Sequence, residues 1–167
     1  PRFMAKASLF KVPILGWMLR ATGQIPVERA GAGRLAESNL MTIASSMLKA
    51  DTALIVYPEG SLTRDPDLWP MRGKTGAVRL ALETGLPLYP AAHWGTQHLM
   101  PRYGKKIHPF PRKHITVSVG EPIDLSEFLG KPIDQKIVTK ATEKLMQEIA
   151  ELLGELRGEE PPKERWN

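Results

Sequence analysis

No cysteine occurs among the 167 residues, which excludes a disulfide framework, thiolate catalysis and any cysteine-ligated zinc site. A reducing compartment fits that absence. Long hydrophobic runs are missing as well. The longest stretch without a formal charge, Thr84 to Pro101, spans 18 residues but contains Pro87, Pro90, Pro101, Gly85, Gly95, His93 and His98, so it does not read as a transmembrane helix. No basic, apolar and small-residue succession marks a secretory signal, and because the chain opens on Pro1 the natural protein is expected to begin upstream. Internal repeats, heptads, a collagen period and low-complexity segments are equally absent.

What is present suits one globular α/β domain, residues 1–157, followed by a loose tail, residues 158–167. Hydrophobic residues make up 42% and charged residues 25% of the chain, enough to bury a core and too ordinary a balance to favour disorder. The net charge of +5 is unevenly spread. Residues 1–29 hold five cations and one acid, and residues 99–114 hold five cations (Arg102, Lys105, Lys106, Arg112, Lys113) and no acid. Residues 115–167 reverse the balance, with seven cations against eleven acids. Such polarity suits anionic lipid headgroups or phosphorylated ligands. On charge alone a solvated basic loop explains residues 99–114 equally well. No helix-turn-helix, zinc finger or RNP-type aromatic signature accompanies the cations, so nucleic acid is not expected as a partner.

Hydropathy patterning predicts a mainly parallel central sheet flanked by helices. Gln24 to Glu28 reads as extended and leads into the flexible loop Arg29 to Gly33. Apolar residues at helical spacing from Arg34 to Lys49 predict an amphipathic helix. The β-branched run Ala53 to Tyr57, stopped by Pro58, reads as a strand buried on both faces. A helix is expected from Lys74 to Thr84, closed by Gly85, then short strands at Leu86–Ala92 and Ile115–Val119. Pro87 and Pro90 put the first of these near an edge or give it unpaired positions. Ile137, Val138, Ala141, Leu145, Ile149, Leu152, Leu153 and Leu156 form the stripe of a long closing helix. In open α/β sheets, ligands lie beyond the carboxyl ends of the strands, which directs attention to the loops Arg29–Gly33 and Pro58–Gly73.

Those loops carry suitable chemistry. Arg29, beside the free amides of a glycine-rich turn, can give an oxyanion two parallel charge-assisted hydrogen bonds, although a surface ion pair would use the same residue. Glu59, Gly60, Ser61, Thr63 and Arg64 combine an acid, a flexible turn, two hydroxyls and a cation, which suits a polyol phosphate. Ser61 is not a nucleophile-elbow serine, because Glu59 and Thr63 stand where that turn needs glycines. Asp65-Pro66-Asp67 reads as turn chemistry rather than as metal ligands, and no metal site is expected. Lys74, between Gly73 and Gly76 at a helix start, is a further anion contact, without the first half of a phosphate-binding P-loop. Near the start, Phe3, Leu9, Phe10, Val12, Ile14, Leu15, Trp17, Met18 and Leu19 lie among Lys6, Lys11 and Arg20. That composition suits a membrane interface or a buried packing segment, with Pro13 and Gly16 interrupting the helical period.

Three blocks in order, Gly23-Gln24-Ile25-Pro26-Val27-Glu28-Arg29, Tyr57-Pro58-Glu59-Gly60-Ser61 and Leu86-Pro87-Leu88-Tyr89-Pro90, make the chain resemble the glycerolipid acyltransferases. The likeness runs over roughly residues 1–125 and is closest to the bacterial 1-acyl-sn-glycerol-3-phosphate acyltransferases. It implies transfer of a fatty acyl group from acyl-CoA or acyl-carrier protein to lysophosphatidate, without a resident cofactor, by a peripheral protein on the cytoplasmic face of the membrane. By the same analogy Arg29 binds the acceptor's phosphate, Glu59, Gly60 and Ser61 shape the glycerol-phosphate pocket, and Pro87 and Pro90 form the acyl-donor side.

Two departures stand out. The third block of the family carries an arginine where this chain has Leu62, and Arg64 is the nearest substitute. The family's first block, a histidine followed five positions later by an aspartate, supplies the general base and its orienting acid. Here His93, His98, His108 and His114 are followed at that spacing by His98, Tyr103, Lys113 and Val119. The base is therefore expected upstream, since an attacking hydroxyl must lose its proton. His93 lacks an evident orienting acid and reads as a neutral, packed histidine beside Trp94. The alternative reading is a lipid- or anion-binding module that keeps the phosphate pocket without catalysis, or an acyltransferase for another lysophospholipid.

Overall fold

The computed structural model describes residues 2–27, 52–104 and 106–166. They fall into two compact units, Pro1–Tyr57 and Pro58–Asn167. The predicted helix over 34–49 and the loop Arg29–Gly33 lie outside the described residues.

In the first unit β1 (Arg2–Lys6) lies between β2 (Ile25–Val27) and β3 (Leu54–Ile55), and both pairings are parallel. Met4 stands opposite Ile25, and Arg2 opposite Leu54. Pro26 has no N–H to give a ladder, and β2 is accordingly an edge of the described three-stranded sheet. The expected doubly buried strand at 53–57 is reduced to two laddered residues, and Ile55 is 36% exposed.

Helix α1 (Pro13–Ala21) corrects the expectation that Pro13 and Gly16 break the helical period. Pro13 occupies the first turn, where its missing N–H costs no intrahelical bond. Gly16 is buried, and a Cβ there would stand 2.2 Å from the Phe10 carbonyl oxygen, so only glycine admits that approach. Ile14 and Trp17 are 83% and 68% exposed, so α1 is not packed into a core.

The second unit is built from α2 (Gly76–Thr84), β4 (Ala91–Trp94), the single turn α3 (Thr96–Leu99), β5 (Thr116–Val119) and α4 (Gln135–Arg157). Strands β4 and β5 are antiparallel, with Ala91 opposite Val119 and Trp94 opposite Thr116. Among the described residues, parallel pairing thus holds in the first unit and antiparallel pairing in the second. The strand expected over 86–92 is laddered only from Ala91 onward, because Pro87 and Pro90 have no N–H to donate. Their neighbourhood is extended all the same: Ile123 N donates to Leu88 O at 2.8 Å and Gly120 N to Pro90 O at 3.0 Å.

The long helix follows its sequence signals. Asp134 caps α4 by accepting from Ile137 N at 2.8 Å, and Gly158 ends it in the left-handed conformation. Val138, Ala141 and Leu145 are buried, and the last two pack with Val78, Ile123 and Phe128 in one core cluster. Leu153 joins Trp69 and Ala92 in a second. Beyond Gly158 the segment expected to be loose turns back, with Trp166 O accepting from Arg72 N at 3.2 Å and Arg165 Nη2 donating to Gln147 Oε1 at 2.7 Å.

Candidate functional site

The loop from Pro58 to Gly73 leaves β3 and returns to α2, and its ends are closed by two bonds. Lys74 N donates to Pro58 O at 2.8 Å, and Met71 N donates to Glu59 Oε2 at 2.9 Å. Glu59 thus holds the loop rather than pointing to solvent. Burial pushes its carboxyl above the ordinary range, a shift that the Met71 N–H partly opposes. Gly60 has φ +67°, and a Cβ placed on it would stand 3.0 Å from Lys74 Nζ. The structure therefore brings together Glu59, Gly60 and Lys74. Ser61 and Arg64 are exposed on the same loop.

The remainder of the loop is knitted by its own side chains and by two arginines from distant segments. Thr63 Oγ1 donates to Trp69 O at 2.7 Å, while Asp65 Oδ1 accepts from Asp67 N at 2.8 Å, the turn chemistry expected of Asp65-Pro66-Asp67. Arg102 Nη1 donates to Thr63 O at 3.1 Å and also to Asp65 O. One cation of the basic segment 99–114 is thereby turned inward. Arg157 donates to Asp67 O at 2.7 Å, and its guanidinium lies between Trp69 and Trp94, 4.2 and 4.5 Å from the ring centres. Leu68, at φ +64°, is held in a left-handed conformation inside this network.

The other candidates sort as follows. Arg29 lies outside the described residues. Pro90 is fully buried against Gly120, so of the two prolines it is Pro87, which is exposed, that can meet a ligand. His93 is exposed on β4, its Nδ1 3.2 Å from Thr96 Oγ1, and is not the packed residue expected from sequence. Among the described residues no three His, Asp or Glu side chains converge on a metal position.

Residues 1–94, more than half of the chain, match the Acyltransferase family. The chain belongs to that family. It is 31% identical over 154 residues to the 1-acyl-sn-glycerol-3-phosphate acyltransferase of Bacillus subtilis, covering 92% of this chain and 69% of that protein. It is 28% identical over 100 residues to the chloroplastic enzyme BAT2 of Brassica napus, covering 60% of this chain but 28% of that protein. The crystal structure of the 1-acyl-sn-glycerophosphate (LPA) acyltransferase PlsC of Thermotoga maritima superimposes with a TM-score of 0.62 at 28% identity, over 99% of this chain and 58% of that one. The family match spans all three blocks of the resemblance, so the Glu59 loop lies inside the matched region.

Burial of Glu59 has a consequence for pH. A carboxyl whose pKa is raised by folding favours the native state while protonated, and that contribution is lost as pH rises through the raised value. Glu59→Gln keeps an oxygen acceptor for Met71 N and removes the titration. The stability of Glu59→Gln relative to the parent is therefore expected to increase between about pH 4 and pH 7. Urea unfolding across that range checks it, and a pH-independent difference contradicts it.

Proposed function

We propose that this chain is the substrate-binding part of an enzyme that moves a fatty acyl group from acyl-CoA or acyl-carrier protein to the free hydroxyl of lysophosphatidate, yielding phosphatidate. The observation that carries the reading is the Glu59 loop, which lies inside the matched region and is closed on Met71 with the Lys74 ammonium beside Gly60. A cation against an exposed glycine and serine suits a glycerol phosphate: Gly60 lets the acceptor approach the backbone, Ser61 meets a hydroxyl, and Lys74 and Arg64 face the phosphate. By analogy with the family, Arg29 is a further phosphate-binding residue. The exposed Pro87 stands on the donor side.

Transfer is direct. A base removes the proton of the acceptor hydroxyl, the oxygen attacks the thioester carbonyl, the C–S bond breaks, and the thiol leaves with a proton. No metal or resident cofactor takes part in these steps. No histidine among residues 1–167 has an aspartate five positions on, so none of them is assigned as the base.

Peripheral attachment to the cytoplasmic face of the membrane follows from the same reading. No described helix is long and apolar enough to span a bilayer. Helix α1 exposes Ile14, Trp17 and Met18 between Lys11 and Arg20, the pairing of apolar and cationic groups that lies in an anionic lipid interface.

Acceptor choice tests the assignment. Lysophosphatidate is expected to be acylated in preference to lysophosphatidylcholine, whose phosphate is a diester. Equal rates would assign the enzyme to another lysophospholipid. Arg29→Ala is expected to weaken lysophosphatidate binding about tenfold with folding intact, and unchanged affinity would remove Arg29 from the site.

A further inference from the structure

Residues 72–75, the first half of α4 and the returning tail line an open cavity of about 330 Å³. Its lining is mixed, with Gly73 and Met146 beside the charged and hydroxyl groups. Arg72, Lys74 and Arg165 supply three cations, Thr75, Thr139 and Thr142 three hydroxyls, of which that of Thr142 donates to Val138 O, and Glu143 the one acid. Among the described residues no salt bridge neutralises any of the three cations. Arg165 donates only to the neutral Gln147 amide, at 2.7 Å, and the Lys74 ammonium lies against Gly60. The tail brings Arg165 to the cavity, since Trp166 O accepts from Arg72 N at 3.2 Å.

Three like charges around a polar hollow repel one another until an anion enters. The guanidinium groups favour a planar array of oxygens that accepts paired hydrogen bonds, and a phosphate has both that array and the charge. The volume is at the small end of the range of about 300–1,000 Å³ usual for ligand sites. It therefore suits a phosphate with part of its carrier.

We propose that this cavity is a phosphate-binding site, sharing Lys74 with the Glu59 loop and otherwise distinct in its residues, that takes the phosphomonoester or diphosphate of one of the reaction's two phosphorylated substrates. The identity of those substrates rests on the acyltransferase reading. The site itself rests on the cavity and its cations. The sources are the nucleotide carrier of the acyl donor and the headgroup of the acceptor.

Titration calorimetry of the full chain at low salt, with coenzyme A, sn-glycerol 3-phosphate and inorganic pyrophosphate as probes, tests the site. Pyrophosphate is expected to bind together with one of the other two. Coenzyme A assigns the cavity to the donor, and glycerol 3-phosphate assigns it to the acceptor. Arg72→Gln and Arg165→Gln are each expected to weaken binding about tenfold, whereas Lys163→Gln, on the same tail but outside the lining, leaves it unchanged. Arg72→Gln keeps the backbone bond to Trp166, so it remains informative if Arg165→Gln loosens the tail. Pyrophosphate binding alone, no binding, or binding that survives both substitutions overturns the site. If acyl transfer by the full-length protein persists while these probes fail to bind, the cavity assignment falls and the reaction stands. Binding without transfer has the opposite meaning.

Discussion

Arg157→Ala is expected to lower the melting temperature of the chain by roughly 6–12 °C. The guanidinium is sandwiched between Trp69 and Trp94, donates to Asp67 O and pairs with Glu159 at 2.6 Å, and its side chain is 8% exposed. A desolvated cation–aromatic stack together with a charged hydrogen bond is worth about 3 kcal/mol. The exposed Glu159 adds little to that. Arg157→Lys retains the charge but loses the planar stack and the fork, so it should recover only part of the loss. Because Asp67 and Trp69 belong to the Glu59 loop, the stability change should be accompanied by faster amide exchange at Met71. An unchanged melting temperature, or a full rescue by lysine, contradicts this role.

In the full-length protein Glu59→Ala is expected to reduce acyl transfer by about 100-fold, the scale on which small misplacements near a reacting centre act. It leaves the Met71 N–H without its acceptor and frees the two ends of the loop, at a cost of about 1–3 kcal/mol. Glu59→Gln still offers an oxygen to Met71 and should restore most of the turnover. Rescue by glutamine identifies Glu59 as a positioning residue. Equal loss in Gln and Ala would show instead that the charge itself meets the substrate.

The sequence carried the local signals well and the long-range ones poorly. Asp134 and Gly158 bound α4 as caps should, its apolar stripe turns inward, and Gly85 closes α2 in the left-handed conformation. The family blocks pointed to Glu59 and Gly60 before any geometry was known. Periodicity could not show that β4 and β5 run antiparallel, because Pro87 and Pro90 blur the start of the strand and a short apolar run has no direction. Nor could it show that Arg102 turns inward, since a cation in a basic loop reads the same whether it faces water or carbonyls. The bond from Arg157 to Asp67 joins residues 90 positions apart, and the bond from Arg72 to Trp166 depends on a tail whose composition suggested looseness. Such contacts follow from packing and leave no periodic trace.

Thiol release from a fatty acyl-CoA, measured with lysophosphatidate on anionic liposomes for the 167-residue chain and for the full-length protein, addresses the central claim. Turnover with phosphatidate as product is expected of the full-length protein, and binding of lysophosphatidate without turnover is expected of the shorter chain. Turnover by neither, with lysophosphatidate bound by both and acyl-carrier protein thioesters also inert, would contradict it and leave a lipid-binding module.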